Sequence, residues 1–177
     1  MPNRSIALIA ALFLFTAFTY AAEPFPTLET ENLLSRKVVL PDAVKGRPAV
    51  LVIGFTHGSQ AQMKAWAARL EPNVEPWTIA VLEDAPRLVR PMAISGMKSG
   101  VAQNQRQRYL VLTRHEKELK AAVSPPTDAA PADGKPDDAY IVLLDRDGAI
   151  NWRFHGAFTD SAVEDLQTRL AALTAPR

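Results

Sequence analysis

Not one of the 177 residues is cysteine. Disulfide bonds, thiolate nucleophiles and thiolate metal ligands are therefore excluded together. The chain also lacks a bias of charge: 20 Lys and Arg against 19 Asp and Glu give a formal net charge of +1, and the cations are not clustered. A nucleic-acid partner has no electrostatic support in such a chain. Composition is otherwise that of a globular protein, 47% hydrophobic and 22% charged, with 14 prolines the one excess. The length suits one domain able to bury about two-thirds of the surface that its unfolded chain exposes.

Met1 to Ala22 is a different material. Arg4 is its only charge, Ile6 to Phe18 is apolar, and Thr19-Tyr20-Ala21-Ala22 supplies small residues before Glu23. That order is the pattern of a secretory signal, and it predicts an exported protein, periplasmic or envelope-associated in a bacterium. An uncleaved membrane anchor is the alternative, because Ile6 to Ala22 approaches the minimum length of a spanning helix. No cysteine follows the apolar run to carry a lipid. Removal of Met1 to Ala22 takes away Arg4 and leaves a formally neutral chain. Residues 23–36 read as an amino-terminal extension and 37–175 as the domain.

The informative stretch runs from Ala49 to Trp66. Ala49 to Phe55 is a short apolar run rich in β-branched residues, bounded by Gly46 and Pro48, as in a strand buried on both faces. Thr56-His57-Gly58-Ser59 is a polar turn in which Ser59 is placed to cap a helix. Met63, Trp66, Ala67 and Leu70 then fall at helical spacing. A buried strand, a tight turn and a helix start form a place where α/β proteins keep their chemistry.

Gly54-Phe55-Thr56-His57, followed by Gly58 and Gln62, resembles the Sco branch of the thioredoxin superfamily. There G-[YF]-T-H precedes a C-x-x-x-C pair. Matched residue by residue, Gly58 stands at the first cysteine and Gln62 at the second. The resemblance implies a thioredoxin-like domain in which the scaffold of a redox or copper site survives without its thiols. Counting back from Asp145 as that family spaces it puts the place of the third, histidine ligand near Asp137.

Along the rest of the chain, Glu23 to Lys37 reads as a polar leading segment and Val38 to Leu40 as a short strand stopped by Pro41-Asp42. Trp77 to Leu82 is the next buried run, so strand, helix and strand predict a right-handed crossover with parallel pairing. The stretch from Arg87 to Ile94 suggests helix, interrupted by Pro91, and Lys98-Ser99-Gly100 reads as flexible. Tyr109 to Thr113 predicts a strand and His115 to Ala122 a short helix. Ser124 to Asp138, rich in Pro, Ala and Asp, predicts an exposed, disordered loop. Tyr140 to Leu144 and Ala149 to Phe154 predict a hairpin around Asp145 to Gly148, with Ile150, Trp152 and Phe154 inward and Asn151, Arg153 and His155 outward. Thr159 is placed to cap a final helix with a Val163, Leu166, Leu170, Leu173 stripe. The fold class is α/β, a central mixed sheet flanked by helices and closed by a β-hairpin and a helix, as in thioredoxin-like proteins.

A second resemblance covers more of the chain. Met97-Lys-Ser-Gly-Val, Arg106 to Leu112, and Tyr140 through Phe158 are similar to the mitochondrial ATP synthase assembly-factor family, with its basic M-R-K-G-like segment and its Y-[VI]-x-L-[VL]-D-x-x-G-x-I-x-W hairpin. It implies a part in assembling a membrane complex.

Candidate chemistry centres on Thr56, His57, Gly58, Ser59 and Gln62. His57 has the residue type of a base or ligand, and its simpler role is a hydrogen bond within the turn. With no thiolate at the matched positions, no copper site is expected. Thr56 and Ser59 put hydroxyls near an imidazole, but a serine nucleophile needs an orienting acid and an oxyanion hole as well. His115 and His155 have no spaced partner and read as surface residues. Glu83-Asp84 at a strand end has carboxylates for a divalent cation, though adjacent side chains point apart along a strand. Lys98, Arg106, Arg108 and Arg114 form a modest basic region that suits an acidic partner or phospholipid head groups. The resulting expectation is a redox-inactive, exported binding protein with no cofactor and no metal. Its expected partner is another protein, as for an assembly or folding factor of an envelope or membrane complex, and membrane contact, if there is any at all, comes only through an uncleaved signal. Two alternatives stand beside it: an oxidoreductase or peroxidase-like enzyme with non-cysteine chemistry, and a small-ligand site in the crevice beside Thr56 to Ser59.

Overall fold

A computed structural model describes residues 23–70, 74–125 and 134–175. The segment read as a signal, Met1 to Ala22, and residues 126–133 of the Pro/Ala/Asp-rich loop lie outside the described residues. No described helix is long and apolar enough to cross a membrane.

Eight strands form one mixed sheet. In chain order they are β1 (Glu23–Pro24), β2 (Leu28–Asn32), β3 (Lys37–Leu40), β4 (Ala49–Gly54), β5 (Trp77–Val81), β6 (Tyr109–Leu112), β7 (Ala139–Leu144) and β8 (Ala149–Gly156). Across the sheet they run β1-β8-β7-β4-β5-β6-β2-β3. β4, β5 and β6 are parallel, and the remaining neighbours pair antiparallel. The helices are α1 (Gln60–Leu70), α2 (Arg90–Gly100), α3 (Glu116–Val123) and α4 (Asp160–Thr174).

Every residue of β4 and of β7 is buried, which is why both read as unbroken apolar runs. One face of the sheet carries Leu51, Ile53, Ile79, Leu110 and Tyr140 against Leu119 and Val123 of α3 and against Phe25 and Val44. The other carries Val50, Val52, Ile141 and Leu143 against Met63, Trp66 and Leu70 of α1 and Val163 and Leu166 of α4. The apolar stripes of α1 and α4 thus share one layer. Thr159 caps α4, its hydroxyl accepting from the Ala162 N–H at 3.2 Å. Gly148 has φ of +82°, as the Asp145–Gly148 turn requires, and the Asp145 carboxylate accepts from Asp147 and Ala149 N–H, both at 2.9 Å.

Four expectations change. The polar leading segment contains β2: Leu28, Thr30 and Asn32 are buried and Glu29 and Glu31 exposed, a period-two pattern in which polar side chains hold inward positions. Thr30 is satisfied there by its hydroxyl bond to the Val111 carbonyl at 2.8 Å. Pro91 opens α2 and does not interrupt it, since the first turn has no use for the missing N–H, and Lys98 to Gly100 complete that helix. A bulge between Leu143 and Leu144 places Leu144 opposite Ile150 and Leu143 opposite Trp152. The extra residue reverses the alternation, so Ile150 packs in one core layer and Trp152 and Phe154 in the other. Lastly, the carboxyl end of the segment read as an exposed loop is tied down: Asp138 is buried and its carboxylate accepts from the Lys135 N–H at 2.7 Å.

Candidate functional site

The Thr56–Ser59 turn leaves β4 at the carboxyl edge of the parallel strands and delivers the chain into α1. Its internal bonds come from hydroxyls. Ser59 is fully buried; its Oγ donates to the Thr56 carbonyl at 2.7 Å and accepts from the Thr56 N–H at 3.4 Å. Thr56 Oγ1 in return accepts from the Ser59 N–H at 3.1 Å. The Ser59 hydroxyl therefore faces back into the turn and does not cap α1. Gly54 is needed beneath it, because a Cβ there would overlap Ser59 Oγ and Met63 Sδ.

His57 is exposed, and its ring has no partner among the described residues; only its carbonyl takes part, accepting from the Gln60 N–H at 3.4 Å. The imidazole bond expected inside the turn is not formed, since the two hydroxyls already satisfy it. Gln62, in the first turn of α1, reaches across to the β8–α4 connection, where its Oε1 accepts from the Phe158 N–H at 3.1 Å. Gly58 is exposed but not open: a Cβ there would overlap the carboxylate of Asp137. That carboxylate also accepts from Thr56 Oγ1 at 2.6 Å. Three positions singled out in the sequence thus meet at the turn, Thr56, Gly58 and Asp137. Gln62 serves the scaffold behind them.

Asp137 is positioned by its own loop and by β8. His155 stacks on Tyr140 with ring centroids 3.8 Å apart and planes 9° from parallel, and Tyr140 meets Phe55 edge-on at 5.0 Å. His155 Nε2 lies 3.2 Å from the Lys135 carbonyl, which only accepts, so the neutral ring carries its proton on Nε2. Burial pushes its pKa below the ordinary histidine value, against the raising effects of the Lys135 carbonyl and Asp138. His155 is therefore a packed residue and not the surface residue that alternation suggested. The sequence signal for it was weak, since an outward strand position becomes covered only when a distant loop folds over it.

The other candidates disperse. Glu83 caps α3 by accepting from the Glu116 N–H at 2.6 Å, and Arg90 donates to the Glu83 and Ala85 carbonyls at 2.6 and 2.9 Å. Among the described residues no group of three or more His, Asp or Glu is placed to hold a metal ion. His115 precedes α3 and pairs with Glu118 at 3.0 Å. Arg108 is paired with Glu75 at 2.8 Å and Arg106 donates to the Val101 carbonyl, so the basic region is partly spent on structure.

No family model matches the sequence, and no curated protein matches it. Solved structures do. BsSco, a member of the Sco family of cytochrome c oxidase assembly proteins, superposes with a TM-score of 0.56 at 13% identity, over 85% of this chain and 95% of its own. A SCO1/SenC family lipoprotein from Bacillus anthracis gives 0.54 at 15% identity, over 88% and 97%. A thio-disulfide isomerase from Thermus thermophilus gives 0.52 at 19% identity, over 84% and 95%. The chain has a thioredoxin-like fold. Within this thioredoxin-like frame the turn after β4 holds a buried serine and a glycine against which the exposed Asp137 carboxylate lies, and the chain has no thiol to place there.

Proposed function

We propose that this thioredoxin-like protein is exported to a bacterial cell envelope and acts there by binding another protein, without redox chemistry, as an assembly or folding factor for an envelope complex. The observation that carries the reading is the Asp137 carboxylate bonded to Thr56 and lying against Gly58, the residue that the Sco resemblance matches to the first thiol. Ser59 is fully buried with its hydroxyl engaged in the turn, and His57 has no orienting partner among the described residues, so neither forms a nucleophile and base. Met1 to Ala22 supports export by its pattern, and the assembly role named for BsSco supports the assembly reading by analogy of fold.

A surface suited to a partner lies along the same carboxyl edge. The connection leaving β5 exposes Leu88 by 94%, and the first turn of α2 exposes Met92 by 77%. With Val89 also 48% exposed, three apolar side chains close together along the chain stand in water, and an apolar patch of that kind marks an interaction site. The test is a photo-reactive residue at Leu88 in the native host, with Glu164 on α4 as control. A discrete cross-linked species from Leu88, unaffected by reductant and absent from Glu164, supports the reading; no species from Leu88, or equal yields from both, overturns it.

A further inference from the structure

The edge of the sheet opposite the turn carries a cavity of about 650 Å³. It is assembled where Trp77 opens β5, Arg108 precedes β6, Arg47 precedes β4, and the chain turns from β2 into β3 through Arg36 and Lys37. Its volume falls within the range of small-molecule sites. Four cations and one carboxylate, Asp42, line it. Asp42 is already neutralised by Lys45 at 2.7 Å, and Arg108 is occupied by Glu75. Arg36, Lys37 and Arg47 form no ion pair or side-chain hydrogen bond among the described residues, although Lys37 stands opposite Glu31 in the β2–β3 ladder. In a chain with a net charge of only +1, three unneutralised cations around one concavity are an anion site in charge. Trp77 and Val38, half-buried against the core, give the same cavity an apolar wall.

We infer that this cavity binds a small anionic molecule with a flat apolar portion, its phosphate or carboxylate between Arg36 and Arg47 and its apolar part on Trp77. Guanidinium groups match the two oxygens of such an anion with paired N–H donors, and an indole offers a stacking face. The site is separate from the turn after β4 and does not depend on the protein-binding reading.

Phenyl phosphate is the probe, titrated into the full chain by calorimetry and followed by tryptophan fluorescence. Saturable binding is expected, with inorganic phosphate about tenfold weaker, the equivalent of one lost contact, and phenol without effect. Arg36→Gln together with Arg47→Gln should weaken phenyl phosphate by at least about tenfold while the urea midpoint stays put, and Lys117→Gln on α3 should change nothing. No binding of phenyl phosphate, or binding indifferent to the Arg36 and Arg47 changes, overturns the inference. Binding only to phosphatidylglycerol vesicles, with none to phenyl phosphate, overturns it also and makes this edge a membrane contact.

Discussion

Gly58→Ala is the perturbation that most sharply separates a packed site from an open one. The backbone there does not demand glycine, since among the glycines only Gly46 and Gly148 have φ in the left-handed region. What excludes a side chain is the Asp137 carboxylate, which a new Cβ would overlap. Asp137 is exposed and is free to swing out, so the cost is the 2.6 Å bond to Thr56 and not a core rearrangement. A hydrogen bond to a charged group contributes about 1.5–3 kcal/mol, and solvent exposure reduces this to about 1 kcal/mol. Asp137→Ala should cost a similar amount. In the double variant the overlap is gone, and Gly58→Ala should then be neutral or stabilising by up to about 1 kcal/mol through a less flexible unfolded chain. Urea unfolding of the four proteins gives the cycle directly, with equal slopes confirming a common transition. Additive costs, with Gly58→Ala equally damaging in both backgrounds, would refute the packing of Asp137 on Gly58.

Three further outcomes follow from the same geometry. Ser59→Ala should destabilise by about 1–3 kcal/mol in chemical unfolding, because it strips a buried hydroxyl from both the carbonyl and the N–H of Thr56. Gln62→Met keeps the volume but orphans the Phe158 N–H, and a loss of about 1 kcal/mol is expected in the same assay. The third concerns acid. The native pKa of His155 is lowered, so as pH falls below about 6.5 the unfolded chain takes a proton that the native state refuses. Stability therefore declines from that pH until the lower native pKa is passed, and His155→Gln should flatten this part of the stability–pH curve.

Elements with strong local signals were legible in the sequence. β4, β5 and β7 are short, largely apolar runs rich in β-branched residues and bounded by breakers, which read as buried strands, and the stripe of α4 with Thr159 before it fixed the last helix. β2 escaped because Thr30 and Asn32 are buried polar residues, satisfied by Val111 of β6, by the Gln107 carbonyl just before β6 and by the turn after β2. The bulge after Leu143 escaped because one inserted residue leaves local composition unchanged while reversing every side chain beyond it. The turn itself was found by its residue types, and the neighbourhood of Asp137 through the Sco resemblance and that family's spacing back from Asp145. The bond from Thr56 to the Asp137 carboxylate was not legible, nor was the half-burial of His155, since both depend on the closing of residues 134–138 onto β8 and the turn.

Insulin-disulfide reduction by the unmodified full chain tests the central claim of a redox-inactive site most directly, with peroxide consumption run in parallel. The account requires rates equal to buffer in both assays, because every thiol mechanism in this fold needs a thiolate and the chain has none. Turnover by the unmodified protein that His57→Ala abolishes would contradict it and place an enzyme in the turn after β4.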